Sequence, residues 1–279
     1  MNESMLIFVK EYEELFKTSN WTEIYKRLHE KIANGGFQIN ELDVGPFTLA
    51  MKDLGIYPHL NPNMTELPWA YLRHTDISSF KLPSHIKVIG PGAFLGCNQL
   101  KEFDINEGCG IISENAFYSC DKLSSITFPT SLFHIGDEAF KNCDNLREII
   151  FLGNNLTFIG NKAFTYSAVE ELYLPHGLTT LGDRAFLKNK NLKTLSLPDT
   201  LDFIGESCFG FCENLTTVEM KLDKITFGKK PFGQCKSLET ITHRGPKAEV
   251  IKARWPNKVI WRESSFIKRI QCDDGVIEL

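Results

Sequence analysis

The sequence predicts an α/β solenoid of seven repeats of about 23 residues, with a helical N-terminal cap domain and a short C-terminal cap. Three observations predict it. The phrase Ile89-Gly90-Pro91-Gly92-Ala93-Phe94-Leu95-Gly96-Cys97-Asn98-Gln99-Leu100 returns as Ile135-Gly136-Asp137-Glu138-Ala139-Phe140-Lys141-Asn142-Cys143-Asp144-Asn145-Leu146. Its phenylalanine recurs as Phe94, Phe117, Phe140, Phe164, Phe186, Phe209 and Phe232, at spacings of 23, 23, 24, 22, 23 and 23 residues. Between these marks lie short segments with strand-like alternation of polar and apolar residues. A fixed period of this length means that each turn buries its apolar side only against its neighbours.

Residues 1–75 carry no repeat and read as a helical domain. Leu6, Val9, Tyr12 and Phe16 fall near helical spacing. Asn20-Trp21-Thr22-Glu23 has the form of a helix start, with Asn20 as N-cap and Glu23 reaching back. Trp21, Ile24, Tyr25, Leu28 and Ile32 then form one stripe, which Gly35-Gly36 ends. A third helix is expected from Pro46 to Leu54, followed by a loop through Pro58, Pro62 and Pro68. Leu49 to Ile56 has a flavour of helix-turn-helix, but the prolines would break its recognition helix. A cap over the open first turn is the simpler role, because an uncovered end exposes apolar side chains and a sheet edge.

The solenoid is expected over residues 76–243. Each unit reads Leu-x-x-Ile-x-Leu-Pro-x-x-Leu-x-x-Ile-Gly-x-x-Ala-Phe-x-x-Cys. The predicted strands are Phe103 to Ile105, Ile126 to Phe128, Ile149 to Phe151, Leu172 to Leu174, Leu195 to Leu197, Val218 to Met220 and Ile241 to His243. Pro129, Pro175 and Pro198 stand where no further ladder donor is wanted. Gly90, Gly136, Gly160, Gly182, Gly205 and Gly228 recur at one turn, which asks for positive φ or for close backbone approach. The Ala-Phe element is expected to begin a helical turn with its ring inward, so that seven rings form a spine roughly 5 Å apart.

These motifs resemble the BspA-like class of leucine-rich repeats over about Asp76 to His243. The resemblance implies a curved right-handed solenoid with a binding role and no catalytic residues. Members of the class are similar to surface adhesins of bacteria and protists, and others occur on phages and mobile elements. The pattern departs from the commoner leucine-rich repeat in placing its cysteine before the leucine of the strand.

Cys97, Cys120, Cys143, Cys212 and Cys235 each lie three residues after the phenylalanine, with Ser167 and Asn189 in the matching places. Parallel side chains one strand spacing apart suit a ladder of small groups bonding to nearby backbone. They do not converge as a tetrahedral metal site requires. Cys109 and Cys272 fall outside the ladder and are expected to be exposed, whereas Cys208 replaces the core alanine before Phe209. The seven histidines, His29, His59, His74, His85, His134, His176 and His243, occupy unrelated repeat positions. No phosphate loop, nucleophile elbow or His-Glu-x-x-His is present, so the reading is non-enzymatic, with no cofactor and no metal.

The partner surface is expected on the outward residues of the strands. Glu102, Asp104, Glu148, Ile150, Glu171, Tyr173, Ser196 and Glu219 are the candidate partner-binding residues. Carboxylates around an aromatic anchor suit a protein partner and repel phosphates. A second outward row, Val88, Ile111, His134, Phe158, Thr180 and Phe203, fits contact with a second copy or with the N-terminal helices. Residues 244–279 form the C-terminal cap. Within them Arg244, Lys247, Lys252, Arg254, Lys258, Arg262, Lys268 and Arg269 gather with Trp255 and Trp261, a composition that also occurs in nucleic-acid contacts.

A net charge of −4 gives the whole chain no pull toward nucleic acid or anionic membrane. No apolar run approaches the ~20 residues of a membrane span. Met1-Asn2-Glu3-Ser4 lacks a basic n-region, and Met5 to Val9 is short for a signal-peptide core, so a cytoplasmic location is expected. The leading function is a protein-interaction scaffold. An intracellular inhibitor of a host enzyme or defence protein, such as a phage-borne one, a surface adhesin and a nucleic-acid binder are the alternatives.

Overall fold

The computed structural model describes residues 65–67, 69–252 and 266–279. The helices expected within residues 1–64, and Trp255 and Trp261, lie outside the described residues.

Two kinds of strand alternate along the chain. The two-residue strands Glu66–Leu67 (β1), Val88–Ile89 (β3), Ile111–Ile112 (β5), His134–Ile135 (β7), Phe158–Ile159 (β9), Thr180–Leu181 (β11), Phe203–Ile204 (β13) and Thr226–Phe227 (β15) form one eight-stranded parallel sheet. Between them run Ser79–Lys81 (β2), Glu102–Asp104 (β4), Ser125–Phe128 (β6), Glu148–Phe151 (β8), Glu171–Tyr173 (β10), Thr194–Ser196 (β12), Thr217–Met220 (β14) and Thr240–His243 (β16). These longer strands pair in parallel as β2–β4, β6–β8 and β10–β12–β14–β16. Their register sets equivalent repeat positions side by side, as in Thr194↔Thr217 and Thr217↔Thr240.

The turn that opens at β1 carries no spine phenylalanine. Leu72 takes that place, its N–H reaching the Ala93 carbonyl at 2.7 Å as the Phe94 N–H reaches Ala116 at 2.7 Å. Residues 69–75 therefore run as solenoid backbone, and the described residues make about eight turns. At the other end a helix, Lys247–Lys252 (α1), and a hairpin of Arg269–Cys272 (β17) and Gly275–Glu278 (β18) follow the last repeat. β17 extends the sheet in parallel beside β16, and β18 pairs with it antiparallel. Buried His243 lies between the repeats and α1: its Nδ1 accepts the Leu222 N–H at 3.1 Å, and its Nε2 stands 3.5 Å from Glu249 Oε2.

The spine lies inside. The seven phenylalanines are at most 1% exposed, and successive rings stack at 5.2, 4.9, 5.1, 5.1, 5.4 and 5.5 Å between centroids. Such pairs add to the large apolar area that each ring buries. Phe103 meets Phe94 and Phe117 edge-on at 4.8 and 4.7 Å, tying the longer strands to the spine.

The segment around each phenylalanine is not helical, contrary to the sequence expectation. Residues two before and two after it adopt positive φ: Gly92 and Gly96, Asn115 (54°) and Ser119 (55°), Glu138 (55°) and Asn142 (61°). This backbone sends alternate N–H groups in different directions. Ala93 and Leu95 donate within the turn to Gly90 and Gly92, while Gly92, Phe94 and Gly96 donate to the next turn's Glu114, Ala116 and Tyr118. A helix would consume these donors internally and leave the turns unjoined. The left-handed residues cost about 1–2 kcal/mol each where they are not glycine, and the inter-turn bonds offset that cost.

The glycine recurring four residues before the phenylalanine owes its place to close approach rather than to φ. A Cβ on Gly205 would lie 2.4 Å from the Asp183 nitrogen, and one on Gly182 would lie 2.6 Å from the Asn161 nitrogen. Gly205→Ala is expected to cost about 1–3 kcal/mol through this overlap. Phe140→Ala should cost about 3–5 kcal/mol by opening a gap in the spine. Urea unfolding checks both, and a wild-type midpoint for either variant would contradict the packing described.

Candidate interaction surface

The cysteines form a structural ladder. The Sγ of Cys97, Cys120, Cys143, Cys212 and Cys235 donates to the carbonyl of Leu72, Phe94, Phe117, Phe186 and Phe209 in the preceding turn, at 3.0, 3.2, 3.2, 3.4 and 3.0 Å. Asn189 does the same through Nδ2 to Phe164 at 2.8 Å, while the shorter Ser167 hydroxyl has no partner. All eight cysteines are free and buried. Cys109 and Cys272 are therefore not exposed as expected. Cys109 is fully buried between turns, and Cys272 takes an inward position on β17, beside the last repeat. Among the described residues no His, Cys, Asp and Glu group has the geometry to hold a metal.

The outward strand residues share one face. Glu102, Asp104, Glu148, Ile150, Glu171, Tyr173 and Ser196 are exposed, and Glu219 is half-buried. Several are already engaged. Lys81 bridges Asp104 at 3.3 Å. Arg244 folds back over the face, donating to Ser196 Oγ at 3.2 Å and Asp199 Oδ1 at 2.5 Å, and to the Leu197 carbonyl and Glu219 Oε1. Outside those contacts are Glu102 and the middle of the face: Glu148, Ile150, Glu171 and Tyr173.

Leu152 belongs to that middle and was missed in the sequence. It is 58% exposed, beside Ile150 at 39% and Tyr173 at 71%. It stands where Pro129, Pro175 and Pro198 end their strands, and that substitution was the available signal. A second missed group lies on the turns, where the Lys188 ammonium sits 4.6 Å from the Tyr166 ring and 5.9 Å from the Phe211 ring. It also donates to the Tyr166 hydroxyl at 2.8 Å.

The second outward row is half-buried from Val88 to Thr180, and Phe203 is exposed. His134 stacks on Phe158 at 4.9 Å, and burial pushes its imidazole below the usual range against the opposing charge of Asp137. Of the basic segment, Arg244 is spent on the strand face and Lys268 pairs with Glu239 at 2.7 Å. Arg254, Lys258 and Arg262 lie outside the described residues. No helix among the described residues is long and apolar enough to cross a membrane.

Burial pushes the Cys97 and Cys109 thiols up to about 11 and Cys143 to about 12. An unfolded thiol ionises near ~8.5. Above that pH the unfolded chain releases protons that the folded one retains, so stability falls as pH rises. The expected loss is on the order of 1 kcal/mol per buried thiol over the first unit above it. Urea midpoints at neutral and alkaline pH measure this, and Cys143→Ala should flatten the slope. Rapid reaction of the folded protein with a thiol reagent would contradict the ladder.

A family model described as "BspA type Leucine rich repeat region (6 copies)" matches residues 65–190 and 157–253. No curated protein matches the chain. Similar solved structures include a leucine-rich cell surface protein from Faecalibacterium prausnitzii, 17% identical, covering 77% of this chain and 78% of that one at a TM-score of 0.48. The T. pallidum leucine-rich repeat protein is 23% identical, covering 70% and 78% at a TM-score of 0.47. With eight stacked turns and a family match over most of its length, the chain belongs to the BspA-type leucine-rich repeat proteins.

Proposed function

We propose that this protein is a non-enzymatic interaction scaffold that holds a protein partner on the strand face of its solenoid. One observation carries the reading: Ile150 and Tyr173 are the two large apolar side chains among the outward residues of the longer strands, they lie on neighbouring strands, and Leu152 extends them. The surrounding outward positions hold Glu, Thr, Ser and Asp. An apolar centre inside a polar rim is the composition of a protein contact, in which a few large side chains supply most of the affinity. Leucine-rich repeat proteins generally serve as protein-interaction scaffolds, which agrees with this reading.

The test is capture from a host lysate with mass spectrometry, comparing wild type with a Glu148→Lys/Glu171→Lys/Tyr173→Ala variant. A protein held by wild type and released by the variant supports the strand face. Every captured protein binding both equally would move the contact to the Val88–Phe203 row, the turn aromatics or the C-terminal segment.

A further inference from the structure

The exposed patch has a charge problem that the fold itself does not solve. β8 and β10 begin with Glu148 and Glu171. The Glu170 N–H donates to the Arg147 carbonyl at 3.3 Å, as the Arg147 N–H donates to Ser124 at 2.9 Å. Ser125 lies opposite Glu148 in that pairing, so the repeated bond sets Glu171 beside Glu148 on the same face. Like charges on neighbouring strands, about 4.8 Å apart, weaken a sheet. The residues just before them, Arg147 and Glu170, oppose one another in sign, and Lys193 follows in that column, so the local charge stays negative by one. Neither carboxylate is in an ion pair among the described residues, and Glu171 accepts only the Tyr173 hydroxyl, at 3.2 Å. Two other carboxylates of this face are treated differently, since Lys81 meets Asp104 and Arg244 meets Glu219, while Glu102 at the start of β4 shares the unpaired state.

The apolar trio begins one residue beyond these carboxylates' own strand neighbours. Ile150 is two residues after Glu148, Tyr173 is two after Glu171, and Leu152 follows Ile150 by two. A ligand that covers the trio must also cover the carboxylates, and desolvating them unpaired is costly. We propose that the patch takes a basic segment of a partner protein, in which an arginine or lysine stands next to a large apolar side chain. The apolar side chain rests on Ile150 and Leu152. The cation lies between Glu148 and Glu171, where the exposed Tyr173 ring also offers its face. Lys101, Lys122 and Arg147, with Glu102 among them, line a depression at the start of β4, β6 and β8, and their net positive charge disfavours the same ligand on that side. This inference rests on the strand face being the contact surface.

The experiment pans a display library of short random peptides on the full chain and on two surface variants whose unfolding midpoints match wild type. The wild-type chain is expected to enrich peptides that combine Lys or Arg with an aromatic or branched aliphatic residue. Glu148→Gln/Glu171→Gln should bind those peptides about tenfold more weakly and lose the preference for a cation. Raised salt should narrow that gap. Ile150→Ser/Tyr173→Ser should lose enrichment altogether. Peptides that need Ile150 and Tyr173 but carry no cation, or carry acids, would overturn the basic-segment proposal and leave the strand face standing. Peptides that bind all three chains equally would overturn the strand-face reading itself, as would the absence of any enrichment over the bare matrix.

Discussion

The spine amide is the bond on which the stacking of turns depends. Phe94, Phe117, Phe140 and Phe164 each donate their N–H to the carbonyl just before the next turn's phenylalanine at 2.7 Å, and Phe186 and Phe209 do so at 2.8 Å. A backbone bond made at the ring-bearing residue itself sets one turn directly over the next. Ring separation of 4.9–5.5 Å follows, because the rings inherit the backbone spacing. Hydrogen bonding and ring stacking thus demand the same repeat distance, and that agreement allows a rod with no helix in its core turns to stay packed.

Holding turns this close leaves room for few residue types at the contact points. Glycine stands where a Cβ would strike the neighbouring backbone, as at Gly160, where it would lie 2.6 Å from the Asp137 nitrogen. One residue further on, side-chain oxygens catch the next turn's N–H: Asp137 takes Asn161, Asn161 takes Asp183, and Asp183 takes Glu206, at 2.7, 2.8 and 2.7 Å. Cysteine fits because the spine carbonyl keeps a lone pair after accepting its own turn's N–H. Phe94 accepts the Cys97 N–H at 3.1 Å and the Cys120 thiol at 3.2 Å. Asn189 is long enough to make that reach and Ser167 is not, which is why its hydroxyl stands unpaired.

With the interior so constrained, freedom to vary lies on the outward strand positions, and there the copies differ. Ser79, Glu102, Ser125, Glu148, Glu171 and Thr194 occupy one column, and Lys81, Asp104, Thr127, Ile150, Tyr173 and Ser196 the next. The C-terminal end of the face is closed off by Arg244, whose guanidinium ties together groups from the two preceding turns. The N-terminal end is balanced by Lys81. In the middle, Ile150, Leu152 and Tyr173 stay exposed beside Glu148 and Glu171, which are in no ion pair among the described residues.

Much of this was legible in the residue order. Repeat period, strand alternation, inward rings and the cysteine ladder are local patterns, repeated until chance is excluded, and the positions of Ile150 and Tyr173 follow from a period of two. Other features were not legible, because they depend on contacts between residues a full turn or more apart. The Ala-Phe segment reads as helical by propensity, yet the next turn needs its donors, so tertiary hydrogen bonding overrides the local preference. Cys109 and Cys272 look peripheral until the neighbouring strands cover them. Arg244 belongs by sequence to a basic tail, and only folding turns it onto Ser196, Asp199 and Glu219, removing those groups from the open surface. By itself the sequence determined a stacked solenoid and the side of each strand that faces water, since both follow from periodicity. Which of those outward residues remain unpaired was decided only by the tertiary structure, because pairing depends on which distant side chains arrive beside them.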